Sequence, residues 1–153
     1  MKALNLPSYK FRLRKNADGK VEIFDSIRKR FYVLSPEEWV RQNFIQYLIQ
    51  EKNYPASLMA IEKGLKLNGM QKRTDIVQYN KSGKPVLIVE CKAPEVKLSQ
   101  DTFDQAARYN LTLHVDFLII TNGLEHYACR MDYEHQKIHF LKEIPTFKEI
   151  DNE

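Results

Sequence analysis

Four consecutive apolar β-forming residues, Val86 to Val89, constrain the fold of this chain more than any other feature of its sequence. A strand with one face in water alternates apolar and polar residues, whereas a continuous apolar run is typical of a strand buried on both faces. The run therefore predicts a strand in the middle of a sheet that helices cover on both sides. Two ionisable residues, Glu90 and Lys92, follow it directly.

Two helices are predicted to flank this sheet. The segment Ser35-Pro36-Glu37-Glu38 has the residues of a helix start, with Ser as the N-cap, Pro at the first helical position and Glu at the third to complete a capping box. An amphipathic pattern continues from there to about Lys52. The second helix is predicted from Ser99 to about Leu113, with Ser99 or Asp101 as its cap.

The remaining apolar segments predict strands that end at Gly, Asn or Ser turn signals such as Asn68-Gly69. Together with the helices they predict an α/β or α+β fold, a mixed central sheet flanked by helices with an N-terminal β-hairpin. The sequence has no linker or internal repeat, so we expect residues 1–153 to form a single domain. These predicted strands are Tyr9 to Arg14, Val21 to Phe24, Phe31 to Leu34, Leu58 to Leu67, Arg73 to Tyr79, Phe117 to Thr121, Tyr127 to Tyr133 and Ile138 to Leu141.

Composition excludes several classes of protein. With 153 residues, of which 43% are hydrophobic and 29% charged, the chain is neither disordered nor fibrous. No apolar run approaches the roughly 20 residues of a membrane helix, and the first residues lack the apolar stretch of a signal peptide. We therefore expect a soluble, cytoplasmic protein with no membrane partner. Cys91 and Cys129 lack the spacing of a zinc site and are expected to be buried thiols.

The predicted strand Arg73 to Tyr79 and the Val86 to Val89 strand form a hairpin, and its register predicts where its ionisable residues meet. If the turn lies at Ser82-Gly83, or closes Asn80 on Pro85, every cross-strand pair has residue numbers that add to the same value, and Asp75 then stands opposite Glu90. Their β-carbons would lie about 5 Å apart on one face. Because side chains alternate along a strand, Lys92 is predicted on that face as well.

Two carboxylates that face each other at the end of an apolar strand require a compensating cation. Lys92 can supply part of the charge, and a hard divalent ion held by carboxylate oxygens can supply the rest, Mg²⁺ being the usual choice where phosphates share it. The pattern therefore predicts a metal-dependent phosphodiesterase site, in which the lysine orients water or stabilises developing charge. An Asp/Glu/Lys ion-pair cluster with a purely structural role would have the same spacing.

The same residues resemble a known superfamily. The run Arg73-Thr74-Asp75-Ile76-Val77, followed by residues 84–94 with the central Glu90-Cys91-Lys92, is similar to the PD-(D/E)xK nucleases, and in particular to the N-terminal endonuclease domain of type I restriction enzyme R subunits. The family core of helix, three antiparallel strands, helix and strand corresponds to residues 36–121.

The resemblance implies roles for individual residues. It implies Mg²⁺ binding, with Mn²⁺ as an expected substitute, through Asp75, Glu90 and the backbone carbonyl of Cys91, and it implies Lys92 as the catalytic lysine. The family often has a glutamate on the first helix at the metal site, and both Glu37 and Glu38 qualify, with helical phase slightly favouring Glu37.

A second motif lies on the second helix. Gln105-Ala106-Ala107-Arg108-Tyr109 is similar to the Q-x-x-x-Y motif of RecB-like nucleases and type I R subunits. Gln105 and Tyr109 are one helical turn apart and share a face. In the family such residues lie beside the catalytic strand and help to hold the substrate or the lysine, and we expect these two residues to support catalysis.

Positive charge is concentrated near the N-terminus, where residues 1–31 hold nine Lys or Arg and three Asp or Glu. Basic residues interleaved with aromatic ones are typical of a surface that follows a phosphate backbone, although a solvated edge that resists aggregation has the same composition. The basic hairpin of about residues 9–34, together with one later arginine, supplies the candidate nucleic-acid-binding residues: Lys10, Arg12, Arg14, Lys15, Arg28, Lys29, Arg30 and Arg73.

These observations predict a metal-dependent deoxyribonuclease with DNA as its partner. The sequence lacks the P-loop pattern G-x-x-x-x-G-K-[ST], so we expect no helicase motor, and other restriction-modification or helicase subunits are candidate partners. The alternative is a DNA-binding module that has kept a nuclease fold without catalysis.

Overall fold

A computed structural model describes residues 1–67 and 69–151 of the chain. Its helices are α1 (Pro36–Lys52), α2 (Gln100–Leu113) and α3 (Phe147–Ile150), with a one-turn 3-10 helix at Ala56–Leu58. The strands are β1 (Leu13–Lys15), β2 (Val21–Asp25), β3 (Arg30–Val33), β4 (Met59–Ile61), β5 (Gly64–Leu67), β6 (Met70–Arg73), β7 (Ile76–Tyr79), β8 (Pro85–Cys91), β9 (Phe117–Thr121), β10 (His126–Asp132) and β11 (Lys137–Leu141). No helix in this described part is long and apolar enough to cross a membrane.

A six-stranded mixed sheet forms the centre of the molecule. Its strand order is β11-β10-β9-β8-β7-β4, and β8 pairs with β9 in parallel while the other pairs are antiparallel. This arrangement confirms the predicted mixed α/β class with a central sheet flanked by helices.

Both faces of β8 are buried, as the apolar run predicts. Leu87 and Val89 belong to a cluster that includes Phe44 and Leu48 of α1. On the opposite face, Ile88 belongs to a second cluster that includes Ala107 of α2. The two helices therefore cover the two sides of the sheet, and β8 lies between them.

The cap of α1 differs from the prediction in one respect. The Ser35 hydroxyl accepts a hydrogen bond from the backbone N–H of Glu38 at 3.0 Å, as expected for an N-cap. The Glu38 side chain does not complete a capping box, because its carboxylate instead binds two guanidinium groups, those of Arg28 and Arg41. At the start of α2 the Ser99 hydroxyl accepts the N–H of Thr102, so Ser99 is the cap.

The predicted register of the β7–β8 hairpin is confirmed for the pairs Ile76–Val89, Val77–Ile88 and Gln78–Leu87. The turn is different from both predicted forms. The N–H of Asn80 bonds to the carbonyl of Lys84, which leaves a three-residue loop, and a bulge at residues 78–79 absorbs the resulting shift of one residue.

Two predicted long strands are each divided in the structure. Leu58 to Leu67 becomes β4 and β5, and Arg73 to Tyr79 begins as the end of β6 and continues as β7. The chain turns out of the sheet at Glu62, whose φ is +51°, and β5 and β6 form a separate two-stranded ribbon. At the predicted Asn68-Gly69 turn, Asn68 lies outside the described residues.

The N-terminal and C-terminal segments also differ from the prediction. The expected hairpin is a three-stranded sheet, β1-β2-β3, whose first strand begins at Leu13 rather than Tyr9. The short helix α3 was not predicted, since four residues are too few for a helical pattern to show. Its Phe147 and Ile150 are buried in the cluster beneath α1.

The turn at Gly123 predicts a measurable effect on stability. Gly123 has a φ of +85°, and a Cβ at this position would lie 2.7 Å from Leu4 Cδ2 and 3.2 Å from Val40 Cγ2. Gly83 has a similar φ of +83° but no heavy atom within 4 Å of its Cβ position. We expect Gly83→Ala to cost about 1–2 kcal/mol through its backbone conformation alone. Gly123→Ala should cost a further 1–3 kcal/mol, roughly, because it also overpacks the turn.

Urea unfolding of both variants and the wild type measures this difference in the free energy of unfolding. Equal losses in the two variants would show that the N-terminal arm carrying Leu4 does not pack against this turn.

Candidate functional site

Asp75 lies in the bend immediately before β7, and its carboxylate is fixed to the end of β8. Because β7 begins at Ile76, which pairs with Val89, Cys91 lies beyond the last residue of β8 that pairs with β7. Asp75 Oδ2 accepts the N–H of Cys91 at 2.8 Å. The Asp75 side chain is thereby held against the segment that carries Glu90 and Lys92.

Glu90 and Lys92 follow the buried part of β8. They have the same strand parity as Ile88, which faces α2, whereas Leu87, Val89 and Cys91 face α1. The N–H of Lys92 bonds to the carbonyl of Thr121 at 2.8 Å and so continues the pairing of β8 with β9. Both side chains are half-buried at this end of the sheet. The predicted cross-strand pair of Asp75 and Glu90 lies outside the paired residues of β7 and β8, and Asp75 instead reaches this edge of the sheet through its bond to the Cys91 N–H.

Arg41, which no sequence motif singles out, supplies the nearest described cation to Asp75. Its Nη2 donates to Asp75 Oδ1 at 2.8 Å, and its Nη1 donates to Glu38 Oε1 at 2.6 Å. Its side chain is only 6% exposed. Although burial opposes the charge, the hydrogen bond to Asp75 and the charge of Glu38 hold the pKa of Arg41 above its ordinary value. Arg41 follows Glu37 by four residues and Glu38 by three along α1. This spacing is the sequence signal that would predict ion pairs between them.

The two candidate glutamates of α1 have different surroundings. The Glu38 side chain is 7% exposed, and its carboxylate contacts Arg28, Arg41 and Gln42. The Glu37 side chain is 50% exposed and lies 3.5 Å from Arg41. Partial burial and the Asp75 carboxylate raise the pKa of Glu37, while the charges of Arg41 and Lys92 act in the opposite direction. Of the two, Glu37 therefore lies beside the open part of the site, and Glu38 is an internal partner of the arginines.

Arg28, predicted as a DNA-binding residue, is largely internal in the structure. Its guanidinium binds the buried Asp25 at 2.8 Å and also contacts Glu38 and Glu62. It lies over the ring of Tyr32, 3.4 Å from the centroid. Arg28 thus joins the N-terminal sheet to α1, and its charge is already engaged within the protein.

The ion pairs around α1 form an acidic cluster with an excess of negative charge. Two arginines, the buried Arg41 and the partly buried Arg28, are shared among five carboxylates: Asp25, Glu37, Glu38, Glu62 and Asp75. Exposed Arg73 lies 3.5 Å from Glu62 and compensates it weakly across solvent. A cation placed at the open side of Asp75 would therefore be favoured electrostatically.

The donor atoms at this edge suit a hard divalent cation. Within residues 1–67 and 69–151, no three His, Cys, Asp or Glu side chains converge closely enough to hold a metal by themselves. Mg²⁺ does not require three side chains, since it is commonly bound by one or two carboxylates, with water and phosphate completing its shell. Asp75, Glu90 and the Cys91 carbonyl, which in strand geometry points to the same side as the Cys91 N–H, fit that chemistry.

The thiol of Cys91 has no role as a nucleophile. Its side chain is buried on the α1 face, and burial, together with the Asp75 carboxylate, raises the pKa of the Cys91 thiol well above its ordinary value. A thiol that stays protonated is a poor nucleophile.

Gln105 and Tyr109 lie on α2, on the side of the sheet toward which Glu90 and Lys92 project. Gln105 is exposed, and within the described part of the chain its side chain makes no hydrogen bond. Tyr109 is half-buried against the cluster that contains Val77 and Ile88. The structure thus packs Tyr109 toward the sheet and leaves Gln105 open to solvent.

The other basic candidates lie mainly on the N-terminal sheet. Arg12 lies over the rings of Phe24 and Phe31, at 4.7 and 5.5 Å, and Arg14 lies 3.9 Å from the Phe31 centroid and pairs with Glu22. These side chains form an outer face of stacked arginine and phenylalanine. All the remaining candidates are exposed: Lys10, Lys15, Lys29, Arg30 and, at the end of β6, Arg73.

Comparison with known families identifies the relatives of this site. Residues 36–145 match the family described as Type I restriction enzyme R protein N terminus (HSDR_N), a match that covers well over half of the chain. The chain belongs to this family. The resemblance predicted from the sequence is thereby confirmed, and the R N-terminal family match extends from α1 to beyond β11. It leaves the three-stranded N-terminal sheet outside.

A solved structure shares the fold of this R N-terminal family member. It is a fragment assigned to the HsdR subunit of a type I restriction enzyme from Vibrio vulnificus YJ016, with a TM-score of 0.54 and 22% sequence identity over 76% of this chain. This chain corresponds to 24% of that chain. No curated protein sequence matches this chain significantly.

The different surroundings of Glu37 and Glu38 predict different effects on stability. Glu38→Ala removes the buried carboxylate that Arg28 and Arg41 share, although Arg28 keeps Asp25 and Arg41 keeps Asp75, and we expect a loss of about 3 kcal/mol in the free energy of unfolding. Glu37→Ala removes a half-exposed side chain and should change it by no more than about 0.5 kcal/mol.

Denaturant unfolding of the two neighbouring variants provides the comparison. A Glu38→Ala protein as stable as Glu37→Ala would contradict the assignment of Glu38 to the buried ion-pair cluster.

Proposed function

We propose that this protein is a metal-dependent deoxyribonuclease of the type I restriction enzyme R N-terminal family. One observation carries the proposal: the Asp75 carboxylate is bonded to the N–H of Cys91, the residue between Glu90 and Lys92. This bond holds one carboxylate against the segment that carries Glu90 and Lys92, beside a cluster of carboxylates that attracts cations. Family membership supports a nuclease-like role in restriction.

In this proposal each residue of the site has a distinct role. Asp75, Glu90 and the Cys91 carbonyl hold Mg²⁺ or Mn²⁺. A divalent cation bound there polarises a phosphate and lowers the pKa of a water molecule. Lys92 places its ammonium group beside the phosphate, where it stabilises the charge that develops during hydrolysis. Glu37 adds a half-exposed carboxylate at the open side.

The second helix and the N-terminal sheet would hold the DNA. Gln105 is exposed on α2, where its amide can bond to the substrate, and Tyr109 packs that part of α2 against the sheet. Arg12 and Arg14 present guanidinium groups over aromatic rings, which keeps the groups ordered while leaving donors for phosphates. Because Arg28 is engaged internally, we assign the DNA contact to its exposed neighbours Lys29 and Arg30.

Partner subunits are part of the proposal as well. The solved relative is a subunit of a type I restriction enzyme, and this chain spans about a quarter of it. We propose that the protein acts with other restriction-modification or helicase subunits, which would supply any sequence specificity and translocation.

Cleavage of DNA tests the proposed chemistry. Purified protein is incubated with linear double-stranded, circular and single-stranded DNA in EDTA, Mg²⁺ or Mn²⁺. We expect cleavage only with a metal, and a loss of about a hundredfold or more in Lys92→Ala, since the stabilising charge is removed. Lys84→Ala, which removes an exposed lysine at the other end of the same hairpin, is the matched control and should cleave like wild type.

The Asp75 variant should be Asp75→Asn, because an alanine there would leave Arg41 and the Cys91 N–H without their acceptor. Full activity in either Lys92→Ala or Asp75→Asn would contradict the mechanism. Nicking of circular DNA would identify endonuclease action.

DNA binding tests the role of the N-terminal sheet and addresses the alternative of a non-catalytic binding module. If no cleavage occurs, the exposed Arg12 and Arg14 stacked on phenylalanine rings favour a protein that binds DNA without cutting it. Affinity measured against salt concentration should weaken steeply, and Arg12→Ala should reduce the log–log slope by about 1 by removing one phosphate contact.

Lys142→Ala, an exposed lysine after β11, is the control and should leave the slope unchanged. An Arg12→Ala protein with wild-type affinity and slope would place the DNA-binding surface elsewhere.

A further inference from the structure

Arg41 occupies one side of the carboxylate that the proposed metal site depends on. Its Nη2 donates to Asp75 Oδ1 at 2.8 Å, while Oδ2 of the same carboxylate accepts the N–H of Cys91. The orientation of the Asp75 carboxylate is therefore set by the protein alone. An Arg–Asp contact of this kind also neutralises the carboxylate where no other cation is bound.

The guanidinium of Arg41 is anchored from the side away from Asp75. Nη1 donates to Glu38 Oε1 at 2.6 Å, and Glu38 is in turn held by Gln42 at 3.0 Å and by Arg28. The Arg41 Nε is also buried, and it has no hydrogen-bond acceptor within the described part of the chain. The two Nη groups thus fix the guanidinium, and it cannot leave Asp75 without breaking the short contact to Glu38.

A fixed positive charge at this place opposes a second cation. Any divalent ion bound to the remaining lone pairs of Asp75 lies within a few ångströms of the guanidinium, in a partly buried region where charges are weakly screened. Arg28 carries the same charge in the same cluster, but its contacts are Asp25, Glu38 and Glu62. Of these two arginines, Arg41 is the one in direct contact with Asp75.

Resting on the metal-dependent function proposed above, we propose that Arg41 is an internal counter-ion that stabilises the metal-free site and limits its affinity for divalent cations. It is a positioning residue, since it acts through Asp75. The protein therefore folds without a metal, and it binds one weakly and reversibly.

Calorimetric titration of the full chain with Mn²⁺ alone, together with thermal unfolding with and without Mn²⁺, tests the proposal. Arg41→Gln should lower the metal-free Tm, bind Mn²⁺ at least tenfold more tightly than wild type, and gain more Tm from Mn²⁺. Arg28→Gln removes an equal charge from the same cluster without contacting Asp75. It should also lower the metal-free Tm, but its Mn²⁺ affinity should stay within about threefold of wild type.

A charge-balanced variant keeps the proposal testable if Arg41→Gln does not fold. The double variant Glu38→Gln/Arg41→Gln removes both members of the 2.6 Å pair, and it too should bind Mn²⁺ more tightly than wild type. Mn²⁺ affinity that is unchanged or weaker in whichever of these two proteins folds would overturn the role of Arg41.

Asp75→Asn separates this inference from the function on which it rests. If wild type binds Mn²⁺ and Asp75→Asn does not, the metal site stands, and only the Arg41 variants decide the inference. If wild type, Asp75→Asn and the Arg41 variants all fail to bind Mn²⁺, the proposed metal site and the role of Arg41 are overturned together.

Discussion

The contact between Arg41 and Asp75 is the interaction on which the architecture of the site depends. It joins the first helix to the start of β7, and Asp75 then joins β7 to the end of β8 through the Cys91 N–H. An unpaired carboxylate at this partly buried edge would be costly, and a guanidinium without its acceptors would be costlier still. Each group therefore stabilises the other in its partly buried position. The acidic cluster, the start of α1 and the edge of the sheet are held together by these contacts.

The acidic cluster also links the N-terminal sheet to the site through ion pairs. Asp25, at the end of β2, is fully buried and holds Arg28, which reaches Glu38 on α1 and Glu62 beside β4. The family match begins at α1, yet the partners of its buried Glu38 include an arginine from the segment before it. The stacked arginine face is consequently carried on a sheet whose other face is tied to the site by ion pairs.

Sequence reasoning was most successful where local chemistry decides the outcome. The Val86 to Val89 run, the Ser35 and Ser99 caps and the hairpin register were all predictable, because burial on both faces, cap hydrogen bonds and period-two pairing act over a few residues. The division of the strand at Glu62 was not, since its left-handed conformation has no glycine to signal it. The ion pairs of Arg28 and Arg41 were not predictable, because the partners of a long cationic side chain depend on which distant carboxylates the fold brings near it.

The ribbon of β5 and β6 leaves the sheet after β4 and returns just before Asp75. At its base, the N–H of Glu62 bonds to the carbonyl of Asp75, and the N–H of Thr74 bonds to the carbonyl of Lys63. These two bonds close the neck of the ribbon, so bending or a change of length at its far end is not transmitted to the carboxylate. The ribbon is thus a segment in which evolution can insert or remove residues, to suit a different substrate or subunit, while the position of Asp75 stays the same.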